Sequence, residues 1–294
     1  MLKIGSSSNG KYLLTREKFA ELQSAGIEAL EVSFGNLHDI DVNLEELSAL
    51  SKEYGVELWS YHLPFAPFSE LDLSSCERDK RVNTVNTFSE LIKRFADNGF
   101  SRFVVHASAE PIGKDERNER LKCAADSLSC LADVAEKCGG VVAVEDLPRS
   151  CIGRNSDEIL YLVSANDRLR VCFDTNHLLG ESCSSFISKV GDKIITLHVS
   201  DYDYGNERHW LPGEGKTDWV GLYNQLMSVG YNGVWMYEID FNTPTTISRP
   251  RNLCAADLAN NAREIFAGIN PAPFGRPADN LFVWKECPRV LDYR

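Results

Sequence analysis

A chain of 294 residues with 43% hydrophobic and 25% charged residues has apolar mass for two ordinary domains or one large α/β barrel. Its 31 basic residues against 43 acidic ones leave a net charge of −12, which disfavours a nucleic-acid partner, because neutralising phosphates supplies most of such affinity. No apolar run reaches the ~18 residues that would span a bilayer, MLKIGSSSNG has no leader pattern, and nine cysteines without CxxC spacing predict reduced thiols in a cytoplasmic protein with no membrane contact.

Strand-like and helix-like periodicities alternate along the chain. Residues 2–8 (LKIGSSS) read as a strand before a helix over 15–25, with Thr15 as N-cap and Gly26 as stop. A strand at 29–35 precedes a helix at 44–54, closed by Gly55, and 57–64 leads through a longer loop to a helix at 76–98. The strand at 102–108 is followed by a helix at 118–138, 141–148 by 156–165, and 169–177 by a short helix at 183–190. The last two pairs are 193–201 with 218–229 and 233–240 with 252–269. Near-continuous apolar strands separated by amphipathic helices predict a parallel sheet covered by helices. Eight such units favour an α/β fold of the (β/α)8 barrel type over 1–269, and no GxGxxG follows the first strand to suggest a dinucleotide fold. Residues 270–294 are rich in proline and aromatics without helical periodicity, and are expected to form a tail packed on the barrel or on a partner subunit.

Most of the strand-like runs end on a group that can bind a metal or move a proton. They read SYHLPF (His62), FVVHAS (His106), VAVEDLP (Glu145), VCFDTNH (Asp174, His177), ITLHVSD (His198) and VWMYEID (Glu238). In a parallel barrel, side chains at C-terminal strand ends face one mouth, so these residues converge. Glu145, Asp174, His198 and Glu238 come from consecutive strands, the fifth to the eighth. Three carboxylates and one imidazole suit a single divalent cation, Mn²⁺, Co²⁺, Mg²⁺ or Zn²⁺, with positions left for substrate oxygens. Glu31, Asp201 and Trp210 are candidate pocket-lining residues, with a structural role as the competing reading; His38 shares that ambiguity. GEGKT (213–217) lacks the earlier glycine of a phosphate-binding P-loop, with Trp210 in its place, and reads as a tight turn. Arg149, Arg154 and Arg208 are each able to hold a phosphate or a loop.

The motifs VEDLP, CFDTNH, LHVSD, RHWLPGEGKTDW and YEI, in this order, resemble those of the xylose isomerase-like TIM-barrel superfamily of sugar isomerases and epimerases, which also contains endonuclease IV. The resemblance covers about residues 1–269. It implies a metal-dependent isomerase or epimerase working on a sugar through an enediolate, with Glu145, Asp174, His198 and Glu238 as ligands. Glu145 and Glu238 would also exchange protons with the substrate, and His177 would contact a substrate oxygen or orient a ligand. The same resemblance maps His62, His106, His177, Glu207 and His209 onto ligands of the endonuclease's three-zinc cluster. Those five are therefore substrate contacts or holders of a second or third zinc. A lyase acting on a keto-glycoside shares the proton abstraction, and a trinuclear-zinc phosphodiesterase acting on abasic DNA is the reading from another class. A barrel kept as a sugar-binding module is a third, disfavoured by the intact acid/base set. The acidic and apolar rim sequences favour a small sugar over nucleic acid, and the resemblance and the tail imply a homo-oligomer.

Overall fold

The computed structural model describes residues 1–8 and 14–284. Eight strands form its centre: β1 (Lys3–Ser7), β2 (Ala29–Ser33), β3 (Glu57–His62), β4 (Arg102–His106), β5 (Val141–Glu145), β6 (Arg170–Asp174), β7 (Ile194–His198) and β8 (Val234–Tyr237). The helices between and after them are α1 (Arg16–Ala25), α2 (Leu44–Tyr54), α3 (Arg78–Ala96), α4 (Arg117–Lys137), α5 (Ser156–Val163), α6 (Cys183–Val190), α7 (Trp219–Ser228) and α8 (Ala255–Phe266). The strands are parallel in the order β7-β6-β5-β4-β3-β2-β1-β8. Val199, one residue past β7, closes the ring: its N–H donates to the Met236 carbonyl (2.7 Å) and its own carbonyl accepts from the Glu238 N–H (3.2 Å). The eight-unit (β/α)8 barrel expected from the periodicity is the fold.

Local chemistry sets the helix ends. Thr15, Asn43, Asn155, Ser182 and Asp218 each accept a backbone N–H of the first turn of their helix, and Gly26 and Gly55 end α1 and α2 in the left-handed conformation. The strands are shorter than their apolar runs, because the last residues of each run leave the sheet. After β6, for example, the Thr175 hydroxyl turns back onto the Ser200 carbonyl (2.8 Å).

The main core lies between the outer face of the sheet and the helices, where Phe19, Phe95, Phe173 and Phe186 are fully covered. Inside the ring the lower layers are small: Ala29, Trp59, Val234 and Met236 on one side, Val104, Ala143 and Cys172 on the other. Trp59 stays in this floor, where its indole N–H donates to Thr196 (3.1 Å) and Arg102 stacks on its ring. Above the floor the lining turns polar, and there the site begins.

Residues 270–284 lie against the barrel. Short strands β9 (Ile247–Ser248) and β10 (Arg276–Pro277) pair antiparallel, Arg208 donates to the Phe282 carbonyl (2.6 Å), and the Trp284 N–H donates to Gly205 (2.9 Å). The rest of the expected tail, 285–294, lies outside the described residues. Among the described residues no helix is long and apolar enough to cross a membrane, and every cysteine is free.

Glu181 ties α5 to α6, accepting from the Ser156 N–H (2.8 Å) and hydroxyl (2.8 Å), the Ser185 hydroxyl (2.6 Å) and Lys189 (3.2 Å). Burial works to raise its pKa, but these donors outweigh burial and lower it. A carboxyl depressed by folding stabilises the fold above its ordinary pKa and ceases to as acid protonates it. Glu181→Gln is therefore expected to cost about 1 kcal/mol at pH 7. The gap to the parent protein should close as pH falls through and below the ordinary glutamate value of ~4.3, measured as denaturation midpoints across pH.

Candidate active site

The ends of β5, β6, β7 and the residue after β8 present Glu145, Asp174, His198 and Glu238, whose ligand atoms all lie within 4.8 Å of one another in buried surroundings. The His198 Nδ1 faces Glu145 Oε1 (3.3 Å), Glu238 Oε2 (3.6 Å) and Asp174 Oδ2 (3.8 Å). Burial and the neighbouring Glu238 and Glu145 drive the Asp174 carboxyl well above its usual range, against the pull of His177. Glu145 and Glu238 move the other way: burial opposes it, but His198 with His106 lowers the former, and His198 with His209 the latter. Three carboxyls in one dry space thus cannot all hold their charge on the neighbouring imidazoles alone. A divalent cation resolves that conflict, and two atoms are aimed to accept one. Asp174 Oδ2 and His198 Nδ1 are buried with no hydrogen-bond partner among the described residues. The donor set fits a divalent metal.

The outer imidazoles surround this core. His62 donates from Nδ1 to the Leu63 carbonyl (2.7 Å), which turns Nε2 toward Glu145 Oε2 (3.0 Å), and His106 Nε2 reaches the same oxygen (3.2 Å). His177 donates from Nδ1 to the Asp146 carbonyl (2.8 Å), leaving Nε2 near Glu207 Oε2 (3.4 Å) and Asp174 Oδ2 (3.5 Å). His209, at φ 53°, donates from Nδ1 to the Glu238 carbonyl (3.2 Å). His177, Glu207 and His209 form a second group whose ligand atoms lie within 4.8 Å of one another. Burial pushes the His177 pKa down, yet Asp174 and Glu207 raise it well above the usual imidazole value.

Above these groups opens a cavity of about 320 Å³ lined by Phe65, Phe68, His106, Leu147, Pro148 and Arg149 as well as the acidic core. Phe65 stacks on His106 with ring centres 4.7 Å apart. Arg149 is spread between two carboxylates: Glu110 takes two of its N–H groups (2.6 and 3.1 Å) and Glu207 a third (2.7 Å). Arg208 is held by Asp203 (2.9 Å), and Arg154 lies beside Glu158 (3.8 Å). Of the three arginines nominated by the sequence as phosphate holders, Arg149 thus has three N–H groups on carboxylates, and Arg208 has two on Asp203 and one on the Phe282 carbonyl.

Three candidate lining residues take other positions. Glu31 is wholly buried inside the ring, beneath His198, where it accepts from His198 Nε2 (2.9 Å), Ser7 (2.9 Å) and Ser60 (2.7 Å). Asp201 is turned away from the cavity and accepts five N–H groups: Tyr202, Gly213, Gly215, Thr217 and the Trp219 indole. It therefore shapes the GEGKT turn, and Gly215 is required there because a Cβ would fall 2.3 Å from Asp201 and from the Tyr202 carbonyl. Trp210 is buried outside the cavity, its indole N–H on Thr246 (3.0 Å) and its backbone paired with Asp201. A strand-end pattern does not reveal which side chains are buried away from the cavity, and all three are. His38 lies on the surface beside Glu70 (3.1 Å).

Two participants escaped the sequence reading. Asp146 accepts the Asp174 N–H (2.7 Å), and burial raises its carboxyl to about 8. Its signal was its place in VEDLP, directly after Glu145. Glu110 carried no signal, because its role exists only through Arg149 across the mouth.

The family described as xylose isomerase-like TIM barrel matches residues 19–258. Among curated proteins, D-psicose 3-epimerase of Ruminiclostridium cellulolyticum is 28% identical over 233 residues, 74% of each chain. The 3-dehydro-D-guloside 4-epimerase of Escherichia coli is 27% identical over 244 residues, 76% of this chain and 86% of that one. Among solved structures, a D-tagatose 3-epimerase-like protein superposes with a TM-score of 0.76 at 24% identity, covering 92% of this chain and 98% of its own.

Asp174→Asn removes the carboxyl that sits worst in the metal-free core. The variant is expected to melt higher than the parent protein without metal and to lose the stabilisation on adding Mn²⁺, which at a hundredfold excess over Kd amounts to about 2.7 kcal/mol. Thermal melts with and without chelator check both effects.

Proposed function

The chain belongs to the xylose isomerase-like TIM-barrel family, and from that premise we propose that it is a divalent-metal-dependent sugar epimerase or isomerase acting on an unphosphorylated sugar or sugar derivative. The observation that carries the reading is the buried Glu145–Asp174–His198–Glu238 set beneath a cavity of sugar dimensions. A divalent cation bound to those four residues would hold the negative charge that develops on substrate oxygens as a C–H proton leaves. The protein's own part is the proton. Glu145 and Glu238 are both pulled toward the ionised form by neighbouring imidazoles, so either can act as base. One glutamate, ionised, removes the proton beside the carbonyl to give the enediolate; the other, carrying a proton from solvent, delivers that proton to the same carbon on the opposite face or, with a hydroxyl proton passing between the two substrate oxygens, to the neighbouring carbon. The first outcome is epimerisation and the second isomerisation. His177 and His209 stand at the cavity wall to orient hydroxyls, and Phe65 and Phe68 supply apolar surface for a sugar ring.

The substrate's lack of phosphate follows from the arginines. Arg149, the guanidinium that lines the cavity, is neutralised by Glu110 and Glu207, while Glu145 and Glu238 add further negative charge. An anionic group would find that guanidinium already paired. The similarity to sugar epimerases supports the same class of substrate.

A second reading has its own observation. His62 and His106 on Glu145, together with the His177–Glu207–His209 group, are the arrangement that a three-zinc phosphodiesterase would need. The committed arginines and the acidic mouth count against a nucleic-acid substrate. Metal analysis separates the two: about one Mn, Co or Mg per chain is expected, and about three zincs would favour the phosphodiesterase. The mechanism is tested by incubating candidate free sugars in D₂O. Deuterium is expected at the carbon beside the carbonyl, with Glu145→Gln and Glu238→Gln each cutting exchange ~100-fold or more. Exchange that survives in both variants, or cleavage of abasic DNA without any exchange, would overturn the assignment.

A further inference from the structure

We propose that Glu31 is the positioning residue of the site: it selects the tautomer of His198 and so aims Nδ1 at the metal position. The inference rests on the metal reading above and assigns a role to a residue that touches neither the cavity nor the three acidic ligands. Glu31 lies on β2, its carboxyl inside the ring and completely buried. Its Oε1 accepts from His198 Nε2 (2.9 Å) and the Ser7 hydroxyl (2.9 Å), and its Oε2 accepts from the Ser60 hydroxyl (2.7 Å). Three strands, β1, β3 and β7, are thereby tied to one carboxyl on a fourth.

The tautomer argument is chemical. A neutral imidazole has one N–H and one lone pair, and the partner of one nitrogen decides the state of the other. With Glu31 as the acceptor at Nε2, the proton resides there and the lone pair is on Nδ1. That nitrogen is buried without a hydrogen-bond partner among the described residues, facing Asp174, Glu145 and Glu238. Were Nε2 without an acceptor, the three carboxyls on the other side would draw the proton to Nδ1 and block it as a ligand. Carboxyl partners of ligating histidines act in this way in general, and their loss costs ~10–100-fold in metal affinity. Ser7 and Ser60 complete the device, because two further donors hold the carboxyl in the one orientation that faces His198.

Two variants test the idea. Glu31→Gln keeps the shape and one acceptor oxygen, while Glu31→Ala removes the acceptor. Mn²⁺ titration of the metal-stripped protein by calorimetry should show affinity falling ~10–100-fold in Glu31→Ala, with a smaller loss in the same direction in Glu31→Gln. Long-range ¹H–¹⁵N spectra of histidine-labelled, metal-free protein supply a readout that packing damage would not mimic. Burial lowers the His198 pKa, but Cys172 and the Glu31, Glu238 and Glu145 carboxyls raise it well above the usual imidazole value, so the spectra are read on the alkaline side of its titration. There wild type should give His198 as a single Nε2–H form with a pyridine-type Nδ1, and Glu31→Ala should shift it toward the Nδ1–H form. Should Glu31→Ala fail to fold, the drop in affinity in Glu31→Gln decides the matter. Unchanged Mn²⁺ affinity in the folded variants, or a neutral wild-type His198 whose proton is not on Nε2, overturns the inference. A wild-type protein that takes up no metal sinks the functional reading instead, and the tautomer spectra, which need no metal, still judge Glu31.

Discussion

Three carboxyl groups and an imidazole buried within a few ångströms of each other are the constraint around which this molecule is arranged. Like charges so placed repel strongly in a medium with little water, and a fold holds them only if neighbours compensate. Imidazoles from several elements do so. Imidazoles from β3 and β4 turn toward Glu145, and the loop after β7 brings Glu207 and His209 up to His177. Closure of the ring between Val199 and β8 brings Glu238 to the other three. The barrel is the scaffold that makes strand ends from distant parts of the chain meet.

Much of this was legible in the residues, for a physical reason. A parallel strand buried on both faces must be apolar nearly throughout, so a charged or ligating residue at its end stands out. His62, His106, Glu145, Asp174 and His198 were visible that way, and the structure places them round one space. Glu31 was visible but not interpretable. Strand alternation says that a side chain points inward without saying how deep it lies, and the register shift between Leu30 and Glu31 against β3 puts Glu31 opposite Ser60. For Asp201 and Trp210 the structural reading holds for a related reason: they sit where loops fold back on themselves, and their partners are up to 36 residues away in sequence. Glu110 and its hold on Arg149 left no pattern, since loop-to-loop ion pairs have no periodicity.

The site divides vertically. The floor of the ring is small and apolar, the next layer is the hydroxyl-rich support beneath His198, above it lies the acidic core, and the mouth is aromatic on one flank and ion-paired on the other. On the proposed function, the chemistry shared by many sugars would reside in the core, where geometry is set by strands. Discrimination between sugars would then belong to the mouth, built by loops after β3, β4, β5 and β7, whose shape can change without disturbing the barrel.

The Asp201 carboxylate, with its five N–H donors, has a consequence for binding. The segment from Tyr202 to Trp219 is knotted to that one side chain, and it is the segment that carries Glu207 and His209. Its conformational entropy is lost when the chain folds, not when a ligand arrives. A ligand entering the cavity therefore meets a preorganised wall, and less of its interaction free energy is consumed in ordering protein.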